Sequence, residues 1–427
     1  MSRLGVLSIS ALLLLMQGKQ PGKIGRMELS RLGELYHLTD CFGDELWPGF
    51  DVRRIPIAIN NHDREELLVN HPRPGPSYEK AKGWKLEGGE VLLRKGSSRY
   101  GPKGGGWAVM LDGVKTAYVG VPRQGMAIED WLQLLLHECF HVYQSRYRQA
   151  ASGPREDPPE YDPIWCAGVG LESRVLHELL KSPLSEQSEH YAKMFLAVRE
   201  KRRVRLTPAQ RRAEDEMEWN EGTAKYVEAR LMLLISEMDD FADTIAEGDP
   251  AYHGFLDAGK RYRNRYLASI LPPRGRLISS MHLRYQIGMA QCLVLDRVRK
   301  NWKVEIARQG GSPRELLRKT FVLSPAEMDR LVGQARKLFD YDQLLAEQKH
   351  LVDQRIAKIR SFVEGKGRRY RIHHRRVRGR MNWKPLGPVF HVPKSLLEQS
   401  GGVTIWEGGI PRLEHGDLVF ESKPKSG

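Results

Sequence analysis

The chain has 427 residues, 41% of them hydrophobic and 28% charged, and a formal net charge of +15. That balance excludes a disordered polyelectrolyte, and only four cysteines exclude a small disulfide-built scaffold. The length allows one large core or two to three smaller ones, and the positive charge keeps nucleic acid, acidic polymers and anionic lipid as candidate partners.

The chain opens "MSRLGVLSISALLLLMQGKQPGKIG": Arg3, an apolar run from Leu4 to Met16, then a polar stretch. Residues 1–20 read as a secretory signal segment, because the run is shorter than the about twenty residues of a membrane span. There is no A-x-A-like cleavage site, only Gly18 as a tolerable last residue, so an uncleaved anchor is the alternative. Both readings make the protein an exported one, periplasmic or extracellular. Cys41, Cys139, Cys166 and Cys292 are scattered, which would allow one disulfide but suits no cysteine-based zinc site. Cys139 reads as a small buried apolar residue.

Residues 21–125 read as a β-rich region. Short strand-like runs fill Ile55 to Pro122, interrupted by the loop "NHPRPGPSYE", and Asp112-Gly113 between two apolar runs marks a tight hairpin turn. The expected product is a small antiparallel sheet. From residue 126 to 364 the periodicity is helical. "AIEDWLQLLLHECFHVYQSRYRQ" has acids at its start and arginines near its end, as a helix dipole favours. After the loop "ASGPREDPPEYDP" come "LESRVLHELL", "SEQSEHYAKMFLAVREKRR" and "TPAQRRAEDEMEWNEGTAKYVEARLMLLISEM", the last with Thr207 as N-cap and Pro208 at the first helical position. Further helices fit Ser279 to Asn301, Pro313 to Thr320 and Pro325 to about Val363. Residues 365–427 read as a basic, β-rich module. Nine Lys/Arg residues and no acid lie between Gly365 and Pro385, interleaved with Tyr370, Ile372, Val377 and Met381. Such a face suits an anionic surface, and for an exported chain nucleic acid is the weaker choice.

Within "LLLHECFHVYQ", His137 and His141 are four apart and so share a helix face, with Glu138 beside them. Two imidazoles can then hold one ion while the glutamate takes a proton from water. The flanking Leu134, Leu135, Leu136, Cys139, Phe140 and Val142 imply an enclosed helix, where two histidines and a glutamate are costly unless something satisfies them. A third ligand is needed. Glu218 and Glu221 lie on one face of "EMEWNEGTAKYVEAR", with Glu228 two turns beyond, while Glu172 in "GLESRVLHELL" is nearer in sequence.

"HECFH" and "NEGTA" together resemble the gluzincin metallopeptidases, an HExxH family whose third ligand is a glutamate on a second helix. The resemblance covers about Trp107 to Asp342, and departs in the long gap between His141 and Glu221, which holds two extra helix-like segments. It implies an α+β fold: a small antiparallel sheet followed by a mainly helical zincin-like lobe, here with the C-terminal basic module added. It also implies that His137, His141 and Glu221 hold Zn²⁺, that Glu138 is the general base, and that Glu228 is an acid behind the ligands or a surface charge. The oxyanion donor would be Tyr285, with His282 as second candidate, in "SMHLRYQIGMAQCLVLDRV". The expected activity is hydrolysis of a peptide or protein, bound by main-chain pairing to the strand hairpin. The alternative from another class is a nucleic-acid or anionic-polymer-binding protein with a structural or vestigial metal site. Nothing in the sequence sets the oligomeric state.

Overall fold

The computed structural model describes residues 24–363 apart from 62–63, 88, 99, 101–104, 148–155, 157, 183–184, 239–240 and 242–248. Beyond 363 it describes only the short strands within 368–373, 385–386, 389–390, 412–414 and 417–422. The expected signal segment and most of the basic module therefore lie outside the described residues. No described helix is long and apolar enough to cross a membrane.

The described residues form two compact units. The first draws on Met1–Pro158, Gly168–Pro273 and Ser279–Phe339. Its first element differs from expectation: the region read as β-rich opens with a helix, α1 (Arg26–Leu46), which buries Leu29, Leu32, Leu35, Tyr36, Phe42 and Leu46 along one stripe.

Six strands follow: β1 (Ile57–Asn60), β2 (Glu65–Val69), β3 (Glu79–Lys80), β4 (Val91–Lys95), β5 (Gly106–Leu111) and β6 (Val114–Gly120). They form one sheet in the order β3-β4-β2-β1-β6-β5, with β5 at an edge. The expected antiparallel sheet is in fact mixed, because β1 runs parallel to β6 while the other pairs are antiparallel. Local hairpins dictate antiparallel pairs, but β1 and β6 lie more than fifty residues apart, and alternating hydrophobicity carries no direction. Asp112 and Gly113 both take the left-handed conformation that the β5–β6 turn requires.

Helices make up most of the rest of this unit, with the first five residues of the helix Pro163–Lys181 counted in the second. They are α2 (Ile128–Gln144), α3 (Pro163–Lys181), α4 (Glu186–Arg203), α5 (Pro208–Met217), α6 (Thr223–Ser236), α7 (Ala258–Arg261), α8 (Ser280–His282), α9 (Gly288–Val298), α10 (Trp302–Gln309), α11 (Pro313–Thr320) and α12 (Pro325–Leu338). Thr207 caps α5 as expected, its hydroxyl accepting from Gln210 N. The two helices expected over 207–238 and 279–301 are each interrupted by a π-helical turn, Glu218–Gly222 and Leu283–Ile287. α2 packs on β5 and β6, and Trp131 Nε1 donates to Gly120 O at 2.8 Å. Beneath it an aromatic core of Trp47, Phe50, Phe140, Tyr226 and Trp302 packs mainly edge to face, with Trp47 5.1 Å from Phe140 and 5.3 Å from Trp302.

The second unit draws on Pro159–Ala167, Arg274–Ile278 and Asp340–Gly427. Its long helix α13 (Tyr341–Val363) holds the short segment by side-chain acceptors: Gln348 Oε1 takes Ile278 N and Glu347 Oε1 takes Gly275 N, each at 3.1 Å. All four cysteines are free, Cys139, Cys166 and Cys292 being buried.

Candidate metal centre

α2 is buried on nearly every side, so its polar residues must be satisfied internally. His137, Glu138 and His141 are each under 10% exposed. The two imidazoles meet at right angles with centroids 4.6 Å apart. Glu221 Oε2 lies 3.5 Å from His137 Nε2 and 3.3 Å from His141 Nε2. The three potential ligand atoms fall within 4.8 Å of one another.

Each histidine is tied at its other nitrogen. His137 Nδ1 lies 2.7 Å from Glu228 Oε1, so Nδ1 carries a proton and Nε2 is the nitrogen that faces Glu221. Glu228 is itself held by Lys225 Nζ at 2.7 Å and the Tyr266 hydroxyl at 3.1 Å. His141 Nδ1 meets Gln144 Nε2 at 2.6 Å, and the same amide donates to the Asn220 carbonyl at 3.0 Å, next to Glu221. Gln144 went unnoticed in the sequence, although its spacing of three from His141 on a helix was a usable signal.

The π turn Glu218–Gly222 carries Glu221, and the π turn Leu283–Ile287 carries Tyr285. These turns pack together backbone to backbone: a Cβ on Gly222 would come within 2.5 Å of Gly288 Cα, and one on Gly288 within 2.8 Å of the Glu218 carbonyl. Gly222 thus permits close approach to the helix bearing Tyr285. The Tyr285 ring stacks on His137 with centroids 6.2 Å apart, and its hydroxyl feels the Glu221 carboxylate. Burial, reinforced by the Glu221 charge, raises the Tyr285 phenol well above its ordinary pKa. His282 is placed elsewhere. Its Nε2 lies 2.9 Å from Ser173 Oγ, and burial lowers its pKa to about 4.

Glu172, the rival third ligand, is fully buried between arginines. Its oxygens accept from Arg199 at 2.9 Å and Arg202 at 2.5 Å. Arg199 also donates to Glu218, and Arg202 and Arg203 to Glu214. The two extra segments between His141 and Glu221, α3 and α4, supply Glu172 and these three arginines. They brace the π turn from behind through Glu218, which Gln291 of α9 also reaches at 2.7 Å.

Glu138 faces the sheet. A Cβ on Gly106 would meet its Cγ at 2.5 Å and Oε1 at 2.7 Å, so this edge-strand position has no room for a side chain. Glu138 Oε2 is buried with no hydrogen-bond partner among the described residues. Burial lifts its pKa to about 7, with the Glu221 and Glu228 charges adding to the rise and His137 opposing it.

The electrostatics describe a pocket short of positive charge. Burial alone would depress His137, but its bonds to Glu221 and Glu228 outweigh it and raise the pKa to about 9. For His141 burial prevails and the pKa falls. Burial would raise Glu221, yet the two histidines hold it well below the carboxylate range. Among the described residues no arginine or lysine pairs with Glu221 or Glu138. Two imidazole nitrogens aimed inward, one carboxylate, and an orphaned buried carboxylate oxygen alongside fit a divalent cation of zinc's preferences. Compared with known proteins, the chain matches no family model, and no curated protein or solved structure matches it.

Proposed function

We propose that the protein is a zinc-dependent metallopeptidase of gluzincin type, with His137, His141 and Glu221 as metal ligands. The observation that carries this reading is the convergence of those three side chains beside a buried glutamate that has an unpartnered oxygen and lies against a bare edge strand. When bound, Zn²⁺ supplies Lewis acidity and brings the pKa of water towards neutrality. Glu138 then takes the proton of the attacking water and delivers it to the departing amine, so the same carboxylate serves as base and acid. The Tyr285 hydroxyl donates to the oxyanion that develops on the attacked carbonyl. Glu228 keeps the proton of His137 on Nδ1, which leaves Nε2 free as a ligand. An extended peptide adds to the outer edge of β5, where Gly106 lets it run close to Glu138. The proposal includes export, as the amino-terminal apolar run suggests.

The test is metal analysis of the purified chain together with cleavage of a mixed peptide pool. Stoichiometric zinc and zinc-dependent cleavage are expected. Glu138→Gln should keep the zinc and lose about a hundred- to ten-thousand-fold in rate. Hydrolysis by this variant at the native rate, or a purified chain that takes up no zinc, would overturn the reading.

A further inference from the structure

The sheet beside the candidate metal centre carries a cation that no acid among the described residues pairs with. Lys115 of β6 stands directly opposite Met110 of β5. Opposed residues of an antiparallel pair project to the same face, and alternate residues share that face. Since Gly106 abuts Glu138, the face towards α2 holds Gly106, Ala108 and Met110 of β5 and Lys115 of β6. The other face holds Val109, Leu111 and Tyr118, which belong to a separate apolar cluster.

Lys115 is half-buried, and among the described residues no acid pairs with it. Burial alone lowers its pKa, and its charge is felt at His141. A desolvated ammonium is unfavourable until an anion reaches it.

A peptide added to β5 lies two strand spacings from β6, roughly 10 Å. An extended lysine and a carboxylate-bearing residue approaching from opposite sides span about that distance. Directly between them stands Met110, an exposed, unbranched side chain that can turn aside, with only the methyl group of Ala108 beside it. Met110, opposite Lys115, lies four residues along β5 from the glycine that abuts Glu138.

We propose that Lys115 is a specificity-determining residue of this site, binding a peptide carboxylate about four residues from the bond that is cleaved. The inference rests on the peptidase reading above. The carboxylate comes either from an aspartate or glutamate side chain or from the peptide's own carboxyl terminus.

Equilibrium binding tests it on the full-length, zinc-loaded Glu138→Gln chain, with three peptides alike except for one group. One has a single internal glutamate and blocked ends, the second has glutamine there, and the third is the glutamine peptide with a free carboxyl terminus. A carboxylate peptide should bind more tightly than the neutral one, and adding Lys115→Gln should shrink that ratio about tenfold, the scale of one charged hydrogen bond. Lys115→Arg should restore the ratio, and Lys82→Gln, an exposed lysine after β3, should not alter it. The peptide that responds identifies the source of the carboxylate. Equal affinities for all three peptides, a ratio that survives Lys115→Gln, or no binding at all would overturn the inference. Cleavage of the neutral peptide by the chain with native Glu138 is scored separately. Cleavage without charge discrimination removes only the role of Lys115, and discrimination in binding without cleavage removes only the peptidase reading.

Discussion

Glu172, Glu214 and Glu218 are as deeply buried as Glu138 and Glu228, yet the two groups of acids meet different partners. The first group faces Arg199, Arg202 and Arg203, three guanidinium groups against three carboxylates, joined by bonds of 2.5–2.9 Å. The second surrounds two imidazoles, and the lysine that reaches it, Lys225, is already engaged by Glu228. A buried carboxylate is stable only when its charge is answered. Where the fold supplies the answering charge, the acid is a brace. Around Glu221 the described residues offer only the two imidazoles, and the proposed zinc would supply the rest of the answering charge.

Exchanging the roles of the two clusters by mutation gives the largest expected effects. Glu221→Ala should strip zinc from the protein and abolish zinc-dependent hydrolysis, because two imidazoles on one helix do not complete a tetrahedral site. Metal content after gel filtration reads this out. Zinc retained at the native stoichiometry would show that Glu221 is no ligand.

Glu172→Ala should do the reverse. It leaves Arg199 and Arg202 buried with one partner fewer, so denaturant unfolding should show a loss of about 3–5 kcal/mol, while any chain that stays folded still binds zinc. Loss of zinc from the folded variant would show that the arginine brace behind Glu218 is needed to hold Glu221 in place.

A smaller effect is expected at the carboxylate behind the ligands. Glu228→Gln removes the charge that holds the Nδ1 proton of His137 and should weaken zinc binding by about ten- to a hundredfold without abolishing it. Competition with a chelator of known affinity measures the change, and an unaltered affinity would mean that the 2.7 Å contact does not orient the ligand.

The gentlest probe is pH. In the metal-free site His137 has a raised pKa of about 9 and so holds a proton below that value, which an incoming ion must displace. Zinc uptake should release protons, and the apparent affinity should weaken about tenfold per pH unit as pH falls below 9, down to where further groups protonate. A pH-independent affinity between 7 and 9 would show that His137 is not held in this way.

Several features were legible in the chain. The spacing of four between His137 and His141 follows from helix periodicity, and the apolar flanks of "LLLHECFHVYQ" announce its burial. The left-handed Asp112-Gly113 turn and the Thr207 cap depend on contacts a few residues long, so local chemistry specifies them. The stripe Leu29, Leu32, Leu35, Phe42 of α1 was there to be read as well, although the region reads first as strand-rich.

Other features depend on segments far apart in the chain. The parallel pairing of β1 with β6, the π turns that bring Glu221 to Tyr285, and the withdrawal of His282 to Ser173 each join such segments. Glu172 and Glu221 are both glutamates on helices, and spacing cannot tell a brace from a ligand. The sequence by itself determined that two histidines and a glutamate share one enclosed helix, because 3.6 residues per turn is a property of the backbone. Only the tertiary structure decided which distant acids meet arginines and which meet imidazoles, because charge is neutralised through space, between side chains that the chain order leaves up to about ninety residues apart.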